Sequence, residues 1–493
     1  MPGTGLWRTK SVEQSIKDTD EPGSRLRKNL SAWDLTVFGV AVVIGAGIFT
    51  LTARTAGDLT GPSVSLAFVL AAIACALAAL CYAEFASTVP VAGSAYTFSY
   101  ATFGELIAWI IGWDLVLEFA VGSAAVATGW SEYLKTVLGY LFGDGVTTTF
   151  DVGGLTVNWG ALLLIVMLTF LLAAGTKLSS RVSMVITGIK VVIVLFVIAL
   201  GVFYVKAANY RPYVPPGESS ASASTGVDQT VFSWLAGGSS SAFGVFGLLA
   251  GASLVFFAFI GFDVVATTAE ETKDPKRAVP RGILGSLAIV TVLYVAVAFV
   301  VTGMVNYRDL ATGADGERKT LATAFALNNM DWAANVISVG ALAGLTTVVM
   351  VLMLGQIRVL FAMSRDGLLP RALSRTGEHG TPVRATILVG GLVAAAATFF
   401  PAGKLEEMVN VGTLFAFILV SAGVMVLRRT HPDLPRAFRV PALPVIGVLA
   451  ILACLWLMLN LTILTWLRFF VWMVIGVVVY FAYGRRHSLL GKR

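Results

Sequence analysis

The sequence predicts an all-α polytopic membrane protein with twelve transmembrane helices, and three observations carry that expectation. Of 493 residues, 57% are hydrophobic and only 13% charged, against roughly 45–50% and about 25% in a soluble domain. Apolar runs of about 20 residues, each long enough to cross a hydrocarbon layer of ~30 Å as a helix, recur from end to end. The basic residues are shared unequally between alternate connections, as they are when one side of a membrane retains positive charge. Length alone suggests about three soluble domains, and the runs replace these with one large transmembrane domain.

In chain order the spans lie near 34–53, 62–83, 105–129, 155–175, 182–205, 243–269, 282–305, 333–361, 383–400, 406–427, 441–462 and 464–484. The head, residues 1–32, is polar and lacks the short apolar core and cleavage site of a removable signal; its stretch Ser11–Lys17 suits a short interfacial helix. An even number of spans puts both termini on one side. If that side is the cytoplasm, 25 of the 35 Lys and Arg fall there and nine fall opposite, with Lys190 left inside a span. The connection 207–240, with Pro215-Pro216-Gly217 and a Ser/Ala run at 219–224, reads as a flexible external loop. Glu270, Glu271, Lys273, Asp274, Lys276 and Arg277 read as a solvated cytoplasmic charge cluster or gate.

Several functional classes drop out. The formal charge of +7 is a topological signal, since no separate basic domain exists to carry nucleic acid. His379, His431 and His487 lie in polar connections or the tail, which leaves no buried His metal cluster. Cys75, Cys81 and Cys454 sit inside apolar runs, where a free thiol behaves as a small hydrophobe. No catalytic group, metal or cofactor is expected, and the chain does not read as an enzyme.

Span 1 contains Ile44-Gly45-Ala46-Gly47, and glycine at that density weakens a helix by about 1 kcal/mol each relative to alanine. Opened backbone at membrane depth is tolerated only where it lines a cavity or is buried in protein; the alternative is a close helix crossing through small residues. Span 6 carries a matching pair, Ile260-Gly261, followed by Asp263. Interrupted spans in corresponding places of two halves point to a transport site. Because five helices per half is an odd number, the second half would enter the membrane from the opposite side. Such breaks leave amides for a carboxylate and carbonyls for an ammonium, a combination suited to a zwitterionic α-amino acid.

Four charged residues stand deep within spans, more than five residues from either end. Lys190 is about 14 Å of helix from Arg181 and about 24 Å from Lys206, so snorkelling does not bring its ammonium fully into water. It must meet carbonyls, meet a carboxylate or give up its proton, and it reads either as a proton carrier or fixed cation, or as a strut holding an opened helix. Asp114 and Glu118, four residues apart, share a helix face; they read as recognition of a basic substrate group or as a polar clamp between helices. Asp263 reads as an acceptor for the opened backbone or as a titrating group.

Taken together and in order, these residues resemble the amino acid, polyamine and organocation superfamily, and within it the cationic amino acid transporter branch of bacterial type. The resemblance spans nearly the whole chain. It rests on Leu6-Trp7-Arg8-Thr9-Lys10, Ile44-Gly45-Ala46-Gly47-Ile48-Phe49, Gly112-Trp113-Asp114 through Glu118, Gly261-Phe262-Asp263 with Ala269-Glu270-Glu271-Thr272, Met363 through Pro370, and Gly380-Thr381-Pro382-Val383-Arg384. It implies a five-plus-five inverted repeat like that of sodium-coupled amine transporters, with a core at 33–430, helices 11 and 12 at 431–484 and a cytoplasmic tail at 485–493. It also implies that Gly45, Ala46 and Gly47, with Ile44 beside them, offer amides to the substrate carboxylate. Carbonyls of Phe257, Ala258 and Ile260 would receive the α-ammonium, with Phe257 as an aromatic gate. Lys190 resembles a lysine that replaces a sodium ion and supports proton coupling, and Glu118 an acid associated with basic side chains. Many animal members have fourteen helices, and this chain departs from them with twelve.

The resulting expectation is a plasma-membrane, proton-coupled symporter of L-amino acids working by alternating access. Cationic substrates of the Arg, Lys and Orn class come first and small neutral ones such as Ala second, with protons and membrane lipids as the other partners. An obligatory exchanger and a non-transporting amino acid receptor are the rival readings.

Overall fold

The computed structural model describes residues 30–89, 94–143, 145–153, 155–175, 180–219, 226–237, 241–267, 272–313, 318–375 and 381–489. The Leu6–Lys10 motif, the Ser11–Lys17 segment, most of the 219–224 run, and Glu270 and Glu271 lie outside these residues. Among the described residues eight helical stretches are long and apolar enough to cross a bilayer, and three further apolar helices are shorter.

Helix α1, Ala32–Val43, starts at a capping box: the Ser31 hydroxyl accepts from the Asp34 amide, and the Asp34 carboxylate accepts from the Ser31 amide at 2.8 Å. It stops at Ile44, whose ψ of 93° is extended. The chain then resumes as a wide π-type turn, Gly47–Leu51, a short helix, Thr52–Thr55, and a second π-type turn, Ala56–Thr60. Gly61, at φ +64°, and Pro62 turn it directly into α2, Val64–Thr88. Expected spans 1 and 2 therefore fall in a single helical stretch of 57 residues, Ala32–Thr88, because the reversal between them is made of helical turns instead of an extended loop.

Helix α3, Ser94–Thr102, precedes α4, Glu105–Phe142, whose 38 residues extend about 57 Å. A short hairpin, β1 Thr149–Val152 and β2 Leu155–Asn158, leads into α5, Trp159–Ala173, and α6, Ser180–Gly201. In the connection expected to be a loose loop, β3, Glu218–Ser219, pairs with β4, Ser241–Ala242. A short helix there, Val231–Leu235, is pinned where its Val231 amide donates to the Leu461 carbonyl at 3.1 Å. Then come α7, Gly244–Val255, a tight 3-10 turn, Phe256–Phe259, and α8, Pro275–Met304. The remainder is α9, Asp331–Arg365, α10, Val383–Phe399, α11, Ala402–Thr430, α12, Leu443–Leu459, and α13, Ile463–Val479. Several helices outrun their apolar spans, because hydropathy ends at the first charges while backbone bonding continues into the polar flank.

The helices sort into two packed groups. Helix α8 packs on α1 and α2, and α2 packs on α7; α4, α5, α9 and α10 form the second group, and α11 touches α4 and α2. Helix α6 meets α1, α8 and α9 and so lies between the groups. Cys75, Cys81 and Cys454 are buried free thiols within this packing.

Candidate functional site

The two helix breaks face each other. A Cβ on Gly47 would overlap the Cα and Cβ of Ala258, so the close approach of the opened segments requires glycine there. At Gly261 the backbone turns through φ +116°, the left-handed side of the map that favours glycine, and this ends the 3-10 turn before Asp263.

Between the breaks lies a cavity of about 20 Å³ lined by Val42, Val43, Gly45, Ala46, Gly47 and Glu118, by Phe257 and Ile260, and by Gly122, Val126, Val348, Leu352 and Val409. That volume is on the order of one water, far below the roughly 300–1,000 Å³ of a small-molecule site, so this is a closed state. Six of the expected contact residues, Gly45, Ala46, Gly47, Glu118, Phe257 and Ile260, come together on its wall. Ile44 and Ala258 are buried in the packing behind it.

Opened backbone must place its polar groups somewhere. The amides of Gly45 and Ala46 have no backbone acceptor among the described residues. The carbonyls are claimed mostly by side chains from other helices. Lys190 Nζ donates to Ala41 O at 2.8 Å, Tyr294 OH to Val43 O at 2.6 Å, and Tyr133 OH to Phe49 O at 2.6 Å. At the second break Asn410 Nδ2 donates to Ser253 O at 2.7 Å and Leu254 O at 3.4 Å. The Phe257 carbonyl accepts from the Ile260 amide at 3.3 Å and keeps a second lone pair. The Gly45 amide also faces the Tyr294 hydroxyl. Amides beside a cavity that are not tied into helix bonding can bind a carboxylate, and free carbonyl lone pairs an ammonium.

Lys190 is 1% exposed. Its stem lies over Gly344 of α9, where a Cβ would come to 3.0 Å from Cγ, and its ammonium ends on α1 three residues before the break. The lysine thus joins α9 to α1. Asp114 sits one helical turn from Glu118, fully buried against Gly412, and neither of its oxygens has a hydrogen-bond partner among the described residues. Glu118 Oε1 and Asp263 Oδ1 are likewise buried without a partner among the described residues. These acids surround the site without joining one another by hydrogen bonds, and only Glu118 reaches the cavity.

Asn410, Tyr294 and Tyr133 escape the sequence reading. Asn410 leaves a trace as an amide within an apolar run. The tyrosines leave none, because their acceptors are set by tertiary packing. Also unforeseen is a charged cluster around α11: Arg54 pairs with Glu406 at 2.7 Å and Asp58 at 3.7 Å, and Arg318 with Glu406 at 3.7 Å and Glu132 at 3.8 Å.

Comparison with known proteins bears on this geometry. The family described as amino acid permease matches residues 30–482. The chain is 43% identical over 497 residues to a branched-chain amino acid permease of Bacillus subtilis, covering 99% of each. It is 40% identical to a methylthioribose transporter of the same organism, over 99% of this chain and 100% of that protein. A vacuolar cationic amino acid transporter of Arabidopsis thaliana is 38% identical over 433 residues, 87% of this chain and 68% of that protein.

Proposed function

The chain belongs to the amino acid permease family, as a multi-pass membrane transporter and not an enzyme, and from that premise we propose that it is a proton-coupled L-amino acid symporter of the plasma membrane. One observation carries the reading: two interrupted helices face a closed cavity, with the Gly45 and Ala46 amides on its wall lacking any backbone acceptor among the described residues. In this reading those amides, with Gly47, take the α-carboxylate, and the carbonyls of Phe257, Ala258 and Ile260 take the α-ammonium. Spans 1–5 and 6–10 form inverted halves, both termini are cytoplasmic, and the helix group containing both breaks rocks against the group containing α4 and α9. Lys190, bonded to α1 and lying on α9, ties its own protonation to the distance between the groups.

The part of the cavity beyond the breaks is aliphatic, made of Val126, Val348, Leu352 and Val409, which favours a neutral aliphatic side chain over the cationic class placed first by the sequence. The branched-chain permease relative supports the same order. Glu118, with one buried oxygen unpartnered on the cavity, is the observation that favours a cationic substrate as the second reading.

Uptake of a panel of labelled amino acids into proteoliposomes, with and without an inward proton gradient, tests the proposal. The expected result is net uptake of leucine, valine or alanine, raised when the outside is made more acidic. Counterflow without gradient-driven net uptake would make the protein an exchanger. Binding without translocation would make it a receptor.

A further inference from the structure

Helix α4 presents Glu118, Gly122 and Val126 to the cavity, each four residues from the next and so on one face. Glycine inside a helix costs about 1 kcal/mol relative to alanine, which calls for a reason, and at neighbouring positions packing supplies it. A Cβ on Gly112 would meet Met363 Sδ at 2.8 Å, and one on Gly129 would meet Thr50 Cγ2 at 2.9 Å. Among the other cavity glycines, a Cβ on Gly45 would crowd Val348 at 3.2 Å, and Gly47 is blocked by Ala258.

Gly122 is different. The nearest atoms a Cβ would meet are Leu352 Cδ1 at 3.6 Å and the two Val409 methyls at 3.9 Å. These are ordinary contact distances, and the residue is in regular helix. The resting packing therefore has room for alanine, yet the position is glycine, on the wall of a cavity that joins both breaks. The missing methyl keeps space between Leu352 of α9 and Val409 of α11 that the closed state does not use.

We propose that Gly122 sets the size limit for the substrate side chain: the gap it leaves between Leu352 and Val409 receives a branched aliphatic group when the cavity opens. This rests on the amino acid symport reading above. A methyl at Gly122 reduces that gap by one carbon, and an added carbon in a fitted apolar site changes selectivity by about tenfold or more.

The test uses the purified full chain with Gly122→Ala and Gly122→Val. Leucine, valine and alanine are compared by proteoliposome uptake and, separately from transport, by the thermal stabilisation each confers in detergent. The expected result is a fall of at least about tenfold in the leucine-to-alanine ratio for Gly122→Ala and a larger fall for Gly122→Val. Adding Leu352→Ala to Gly122→Ala should restore leucine. An unchanged ratio, or equal losses for all three amino acids, overturns the proposal and makes Gly122 a packing residue. A wild-type protein that discriminates among the three while Gly122→Ala keeps the same ratio defeats this inference alone. A wild-type protein that neither takes up nor is stabilised by any amino acid defeats the symport reading and the inference with it.

Discussion

Lys190 poses the sharpest question at the scale of single residues, because one contact serves both of its readings. Its ammonium donates to Ala41 O, which a strut would do and which a proton carrier would do in its charged form. Arginine separates the two, since a guanidinium keeps its proton under all relevant conditions while retaining donors. Lys190→Arg is therefore expected to preserve counterflow while losing the response of uptake to an inward proton gradient, whereas Lys190→Ala loses both. A Lys190→Arg protein that responds to the gradient like the wild type would reduce Lys190 to a strut. Glu118 is read in the same way. If it meets a cationic side chain, Glu118→Gln lowers arginine uptake more than leucine uptake; equal effects in the same liposomes remove it from side-chain recognition. Both residues were legible in the sequence because a charge inside an apolar run is costly. Gly122 was not singled out, although its spacing of four from Glu118 was there to read, because a glycine within a helix becomes informative only once its neighbours are known.

At the scale of elements, the paired Ile-Gly interruptions announced both breaks, and the structure opens the backbone at each. What the sequence could not supply was the partner of each freed carbonyl. Tyr294 reaches Val43 from α8, and Asn410 reaches Ser253 and Leu254 from α11; a hydropathy run says nothing about which helix will lie alongside. Two expectations follow for the breaks. Tyr294→Phe removes one hydroxyl and leaves a buried carbonyl unpaired, a loss of about 1–3 kcal/mol, visible as a lower thermal midpoint. Gly47→Ala forces a methyl onto the backbone of Ala258, so the two opened segments must separate. Transport is expected to be abolished in that variant while Gly45→Ala, which meets only Val348 methyls at 3.2–3.3 Å, is hit less severely. Equal transport by Gly47→Ala and Gly45→Ala would show that the close approach is not maintained during the cycle.

At the scale of the whole molecule, α11 joins the two ends of the closed state. Near its N-terminal end it carries Glu406, paired with Arg54 at 2.7 Å. Its last turn carries Arg428, which pairs with Glu84 of α2 and donates to Val440 O at 3.2 Å. In the sequence these charges served only to count sides, because the partner of Arg54 lies 352 residues away. The side chain of Glu406 is 5% exposed and that of Arg54 is 20% exposed, so the pair is largely out of water. Removing one member of a buried pair costs roughly 3–5 kcal/mol, while replacing both with neutral groups is often nearly neutral. Glu406→Gln is thus expected to lower the thermal midpoint and to bias the transporter away from this closed form, with slower net uptake. Combining it with Arg54→Gln should recover much of the lost midpoint, the coupling that a double-mutant cycle measures. Additive losses in that cycle would mean that Arg54 draws its stability from Asp58 and the Arg318–Glu132 pair instead, and that Glu406 does not hold the two groups together.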